Sequence, residues 1–157
     1  MKPRTLIIRT AGTNCDRELA YAFESAGAQA LTLHLNRLID DPAAIDQAHL
    51  IGFPGGFSYG DDVAAGRIFA NRLRHRLWEP LRSAVRRGVP MIGICNGFQA
   101  LAKLGLLPDP LAGGQAVTLA DNTTVDDIAL RNAIAETEHP DWFEDLTTSL
   151  AVSVQVD

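Results

Sequence analysis

Cys95 stands in Gly93-Ile-Cys-Asn-Gly97, a cysteine in the serine place of the G-x-S-x-G pattern that lifts a nucleophile onto a sharp strand-to-helix turn. The chemistry open to such a residue is attack of a thiolate on an electrophilic carbon through a covalent intermediate. Small flanking residues are needed because a strained turn leaves little room for side chains. The first amides of the following helix carry partial positive charge, which favours a thiolate and can hold an oxyanion. One strand-helix unit earlier, Pro54-Gly55-Gly56-Phe57 places two successive glycines where backbone N–H groups can approach a ligand. The amide of Gly56 or Phe57 and that of Asn96 are expected to converge on a tetrahedral oxyanion; a simple tight turn is the other reading. Cys15 sits in a second strand-to-helix turn without flanking glycines, and a structural role is expected for it.

A nucleophile of this kind needs a base, normally a histidine oriented by a carboxylate. His34 lies in a strand pattern, His49 at a strand start and His75 on an arginine-rich helix, so each reads as structural or solvated. His139, in Glu138-His139-Pro140-Asp141, is the remaining candidate base, with Asp141 as its orienting carboxylate; a surface-loop histidine is the alternative. Metal-ligand spacing, a Walker loop and a dinucleotide fingerprint are all missing, so no metal or cofactor is expected in this chain.

The elements that must position these residues alternate. Thr5 to Arg9 reads as a strand, Asn14 as the cap of a helix to about Ala26, and Gly27 as its stop. A second strand over Ala28 to Leu35, a short helix over Ala43 to Gln47 and a third strand over Leu50 to Phe53 follow. Residues 62 to 77 and 79 to 87 read as two helices parted near Pro80, and the Met91 to Ile94 strand leads through the cysteine turn into a helix from Gly97. Beyond these, a strand over Ala116 to Leu119, a helix from a Thr124/Asp127 capping box to about Glu136, and a strand over Ser149 to Val156 are expected. Strands alternating with helices imply an α/β fold, a doubly wound, mostly parallel sheet with helices on both faces. Ligands collect beyond the carboxyl ends of such strands, where Asn14, Gly55-Gly56 and Cys95 all fall.

At 157 residues, 46% hydrophobic and 21% charged, the chain suits a single soluble domain over 1–157, with 121–157 a divergent tail. A net charge of -5 offers nothing to nucleic acid or to an anionic membrane, and the basic run from Arg72 to Arg87 reads as a solvated helix face. No apolar run approaches the ~20 residues of a membrane span, and the start does not read as a signal peptide. A cytoplasmic protein with free thiols at Cys15 and Cys95 is expected.

Gly12-Thr-Asn-Cys-Asp-Arg-Glu18, Phe53-Pro-Gly-Gly-Phe-Ser-Tyr-Gly-Asp-Asp62 with Ala65-Gly66, Gly93-Ile-Cys-Asn-Gly-Phe-Gln99 and Gly105-Leu-Leu-Pro108 together resemble the class I (triad) glutamine amidotransferases. Within them the chain is most similar to the glutaminase subunits of phosphoribosylformylglycinamidine synthase. The resemblance implies a flavodoxin-like sheet, incomplete in its C-terminal part, and a Cys95 that attacks glutamine to form a glutamyl thioester and release ammonia. It implies that Gly55, Gly56 and Asn96 frame the oxyanion and that Gln99 lies near the bound glutamine. It further implies a large synthetase subunit that uses ATP and magnesium to make formylglycinamidine ribonucleotide, with a small accessory subunit beside it. Members of that family place a His-x-Glu pair downstream; this chain has none, and His139-Pro140-Asp141 is the nearest formal substitute. A catalytically incomplete homologue that keeps fold and docking surface, and another cysteine-elbow α/β hydrolase, are the competing readings.

Overall fold

A computed structural model describes residues 2–111, 114–121 and 152–156, the last five as backbone only. They fall in two compact units, Met1–Val117 and Thr118–Asp157. In the first, β1 (Arg4–Arg9), β2 (Gln29–His34), β3 (Leu50–Phe53) and β4 (Met91–Gly93) form a parallel sheet in the order β2-β1-β3-β4. β1 is central: Leu6, Ile7 and Ile8 are all buried because both of its faces are covered. Leu6, Ile8, Ile51 and Phe53 join one apolar cluster with α2 (Leu35–Asp40), α3 (Ala43–Asp46), α4 (Arg67–Arg86) and α5 (Asn96–Leu104). On the opposite face α1 (Asp16–Ser25) lies so close to Gly52 that a Cβ there would stand 3.0 Å from both Leu19 and Phe23. The expected doubly wound α/β sheet is therefore present, with helices on both faces. β5 (Val117–Asp121) and β6 (Val152–Val156) pair in a two-stranded sheet of their own. The capping-box helix expected from Thr124 lies outside the described residues. No described helix is long and apolar enough to cross a membrane.

Three local expectations are corrected. The first helix starts one residue later than expected, with Cys15 at its cap, while Asn14 Oδ1 takes a bond from the Cys15 thiol at 3.3 Å. The segment after β2 turns into a helix, α2, that the strand pattern did not suggest. Its cap is unusual: His34 Nδ1 accepts from the Asn36 N–H at 3.2 Å, and burial of Leu35 and Leu38 holds the turn down. The third correction concerns Pro80, which does not divide two helices but sits inside the single twenty-residue α4.

Proline in a helix interior costs about 3 kcal/mol, through a lost N–H bond and a clash with the preceding turn. Against that, Phe69, Leu73, Leu77, Leu81 and Ala84 bury one continuous stripe, each large side chain contributing roughly 1.5–3 kcal/mol. Burial wins, so the helix runs on. Pro80→Ala is accordingly expected to raise stability by up to about 2 kcal/mol, read as a higher midpoint in denaturant at unchanged slope. No gain would mean that the helix already bends to absorb the ring.

The arginine-rich face of α4 is not simply solvated. Arg74 reaches the Leu104 carbonyl, and Arg74 and Arg82 both lie over the Trp78 ring at 5.0 and 5.6 Å. Arg87 bonds Asp46 on α3 at 3.1 Å, and Arg72 bonds Asn36 on α2 at 2.8 Å. These guanidiniums tie α4 to its neighbours, which a linear charge pattern cannot show.

Candidate active site

Cys95 occupies the turn between β4 and α5 with φ 50° and ψ −114°, a left-handed backbone that a side chain adopts only under strain. What holds it there is one bond to the neighbouring strand and two within the turn. The Ile94 N–H donates to the Phe53 carbonyl (3.1 Å), the Gly97 N–H to the Ile94 carbonyl (2.9 Å) and the Gln99 N–H to the Cys95 carbonyl (3.0 Å). Both flanking glycines are sterically required. A Cβ on Gly93 would lie 2.7 Å from the Phe98 nitrogen, and one on Gly97 would lie 2.0 Å from the Phe53 oxygen. The thiol is exposed at the start of α5, as the G-x-C-x-G spacing predicts.

The Gly55-Gly56 turn stands directly beside it. A Cβ built on Gly55 would be 3.5 Å from Cys95 Cβ, and one on Gly56, where φ is +134°, would strike Asn14 and Gly12 at 2.7–2.8 Å. An antiparallel bridge between Thr13 and Gly56 binds this turn to the one after β1. Within that bridge the Phe57 N–H donates to the Gly12 carbonyl at 2.9 Å, so Phe57 has no amide left to offer an oxyanion. The N–H groups of Gly56 and Asn96 have no partner among the described residues.

Asn96 is 2% exposed, and its side chain braces the site. Its Oδ1 accepts from the Ser58 N–H (3.2 Å), while its Nδ2 donates to Asp61 Oδ1 (3.0 Å) and Gln99 Oε1 (3.3 Å). Asp61 Oδ1 also takes the Gly66 N–H at 3.0 Å, joining the loop to the start of α4. Tyr59 holds the loop from its other side, bonded to Thr10 Oγ1 (2.6 Å) and accepting from Arg72 (2.5 Å). Tyr59, Asp61 and Cys95 are the non-glycine residues with positive φ among those described, and all three belong to this one locus. Removing the brace by Asn96→Ala leaves the buried Ser58 amide unpaired and is expected to cost about 1–3 kcal/mol, measurable by urea unfolding. An unchanged midpoint would show that water replaces the amide.

The family model for the CobB/CobQ-like glutamine amidotransferase domain matches residues 2–127. The chain belongs to this amidotransferase family. The phosphoribosylformylglycinamidine synthase subunit PurQ of Dehalococcoides mccartyi is 49% identical to it over 123 residues, 78% of this chain and 48% of that protein. The corresponding subunit of Methanococcus maripaludis is 41% identical over 125 residues, 78% of this chain and 46% of that protein. Among solved structures, that of PurLQS from Thermotoga maritima superposes with a TM-score of 0.62 at 35% identity, covering 78% of this chain and 50% of that one. The chain spans about half the length of the curated relatives it matches.

Of the residues singled out in sequence, the amidotransferase fold brings Cys95, Gly55, Gly56, Phe57, Asn96 and Gln99 to one end of the sheet. His139 and Asp141 lie outside the described residues. His34 and His49 use Nδ1 to accept from the backbone of Asn36 and Arg4, and His75 opens onto a cleft with Asn36, Arg72 and Arg76. Cys15 lies in the strand-to-helix turn expected for it, at the cap of α1; it is exposed, and its sulfur would stand 3.6 Å from a Cβ on Gly55. Asp61 and Tyr59 stand in sequence only within the Phe53–Asp62 segment; their positive φ, 53° and 56°, marks them as part of the site.

Proposed function

We propose that this chain is a glutaminase of the PurQ kind. Cys95 sulfur attacks the side-chain amide carbon of glutamine; the C–N bond breaks, nitrogen leaves as ammonia, and water then releases glutamate from the thioester and restores the thiol. The N–H groups of Gly56 and Asn96 are the oxyanion donors in this reading, and Gln99 borders the glutamine site. The observation that carries it is the strained, exposed Cys95 at the start of α5 with the Gly55-Gly56 turn against its Cβ. His139 with Asp141 is the base this chain itself offers. Ammonia passes to a large synthetase subunit, accompanied by a small accessory one, which makes formylglycinamidine ribonucleotide in the cytoplasm with its own ATP and magnesium.

A second reading is a homologue that keeps the fold and the docking surface without turnover. It is favoured by the engagement of His34 and His49 elsewhere, since the Nδ1 atoms of both already accept from backbone N–H groups. The full chain incubated with glutamine, alone and with a PurL/PurS pair, separates the two. Glutamate release abolished by Cys95→Ala and by His139→Ala supports the glutaminase. A thioester adduct on Cys95 that forms once and does not turn over, in either condition, supports the second reading.

A further inference from the structure

Cys15 and Cys95 come from turns after different strands, β1 and β4, yet both lie against Gly55. A Cβ at Gly55 would be 3.5 Å from Cys95 Cβ and 3.6 Å from Cys15 Sγ, while the Cys15 N–H donates to the Gly55 carbonyl at 3.3 Å. Gly55 has no side chain, and a methyl there would stand in van der Waals contact with both cysteines. Both thiols are free and exposed. The Cys15 thiol is pushed above the ordinary range by desolvation first, then by the Glu18 carboxylate, the neighbouring Cys95 thiolate and Asp16.

We propose that Cys15 and Cys95 form a two-thiol modification site, at which a hydroperoxide oxidises Cys95 and Cys15 then closes on it as a reversible disulfide. In the first step Cys95 thiolate attacks the terminal peroxide oxygen; the O–O bond breaks, the sulfur is oxidised to sulfenic acid, and the departing hydroxide (an alkoxide where the hydroperoxide is organic) takes up a proton as water or alcohol. In the second, Cys15 loses its proton and its sulfur attacks that of Cys95. The S–S bond forms, the S–O bond breaks, and the departing hydroxide takes the proton as water. Overall the two thiols lose two electrons and the peroxide gains them. The disulfide shields the nucleophile from irreversible sulfinic acid and holds it out of use until a thiol reductant returns it. The effect on turnover rests on the glutaminase reading, whereas the disulfide does not.

Mass spectrometry of the full chain separates the outcomes. After hydrogen peroxide, alkylation and non-reducing digestion, a peptide pair linked through Cys15 and Cys95 is expected within the monomer, lost on dithiothreitol. Glutamate release is expected to fall and return in step with it. Cys15→Ser is expected to lose the linked pair and to send Cys95 to sulfinic acid that dithiothreitol does not reverse. Gly55→Ala, which sets a methyl against both cysteines, is expected to lower the linked yield severalfold. Sulfinic Cys95 with Cys15 still open to alkylation in the wild-type chain, or linkage only between chains, overturns the proposal. The masses decide this even if no glutaminase activity is found.

Discussion

Cys95→Gly is expected to leave no thioester-forming activity and yet to make the protein more stable. The thiol is the proposed nucleophile, and removal of such a group typically lowers turnover by several powers of ten, because binding and oxyanion contacts cannot replace the missing bond. Stability moves the other way. A side chain held at φ 50° and ψ −114° stores strain of about 1–3 kcal/mol, which glycine does not incur. Glycine loosens the unfolded chain by roughly 0.5–1 kcal/mol, so the net gain is on the order of 1 kcal/mol. Cys95→Ala provides the comparison, since it deletes the sulfur but keeps a Cβ in the same backbone. Both variants should be inactive, with the glycine form unfolding at the higher denaturant concentration. A glycine form less stable than the alanine form would show that the turn carries no strain for the cysteine to relieve.

Gly97→Ala should have the opposite character and a larger energetic effect. Its added Cβ would stand 2.0 Å from the Phe53 oxygen, 2.5 Å from the Phe53 carbon and 2.9 Å from Phe53 Cβ. Phe53 cannot yield, being fully buried at the end of β3 and packed against Phe69, with ring centroids 6.3 Å apart. The start of α5 must therefore lift off the sheet, breaking the Ile94 and Gly97 bonds that shape the cysteine turn. A loss of at least about 3 kcal/mol is expected, a large share of the ~5–15 kcal/mol that a domain of this size commands. Gly88→Ala is the control: its φ of +77° is unfavourable, but a Cβ there meets nothing within 4 Å, and a loss near 1 kcal/mol follows. Urea midpoints of the two variants would decide the matter. Equal losses would mean that backbone conformation, not the approach of α5 to Phe53, sets the requirement for glycine.

Elements whose signals are local were legible in the chain. β1 and β3 are contiguous apolar runs, Gly27 stops its helix at positive φ, and the spacing Gly93-x-Cys-x-Gly97 marks a turn that only small flanking residues permit. The family resemblance drawn from four short segments agrees with the amidotransferase domain match over residues 2–127. Elements whose signals depend on packing were not legible. Pro80 reads as a helix break until the buried stripe on α4 is known to outweigh it, and α2 depends on a histidine cap and two leucines that only burial makes decisive.

Cysteine chemistry divides in the same way. Residue type and glycine spacing marked Cys95 as presented on a tight turn at the start of a helix; the local part of that requirement is the approach of Gly93 to Gly97 and Phe98, whereas the demand for glycine at 97 comes from Phe53 on the neighbouring strand. Tertiary structure alone decided what surrounds it. The parallel order β2-β1-β3-β4 puts β3 between β1 and β4, so the turn after β3 lies between the turns after its two neighbours. For that reason Gly55 meets both Cys15 and Cys95, Phe57 gives its amide to Gly12, and Asn96 turns its side chain into a brace for the loop that faces it. Linear spacing records which residues follow one another; strand order, set by the burial of a central β1, determines which of them touch.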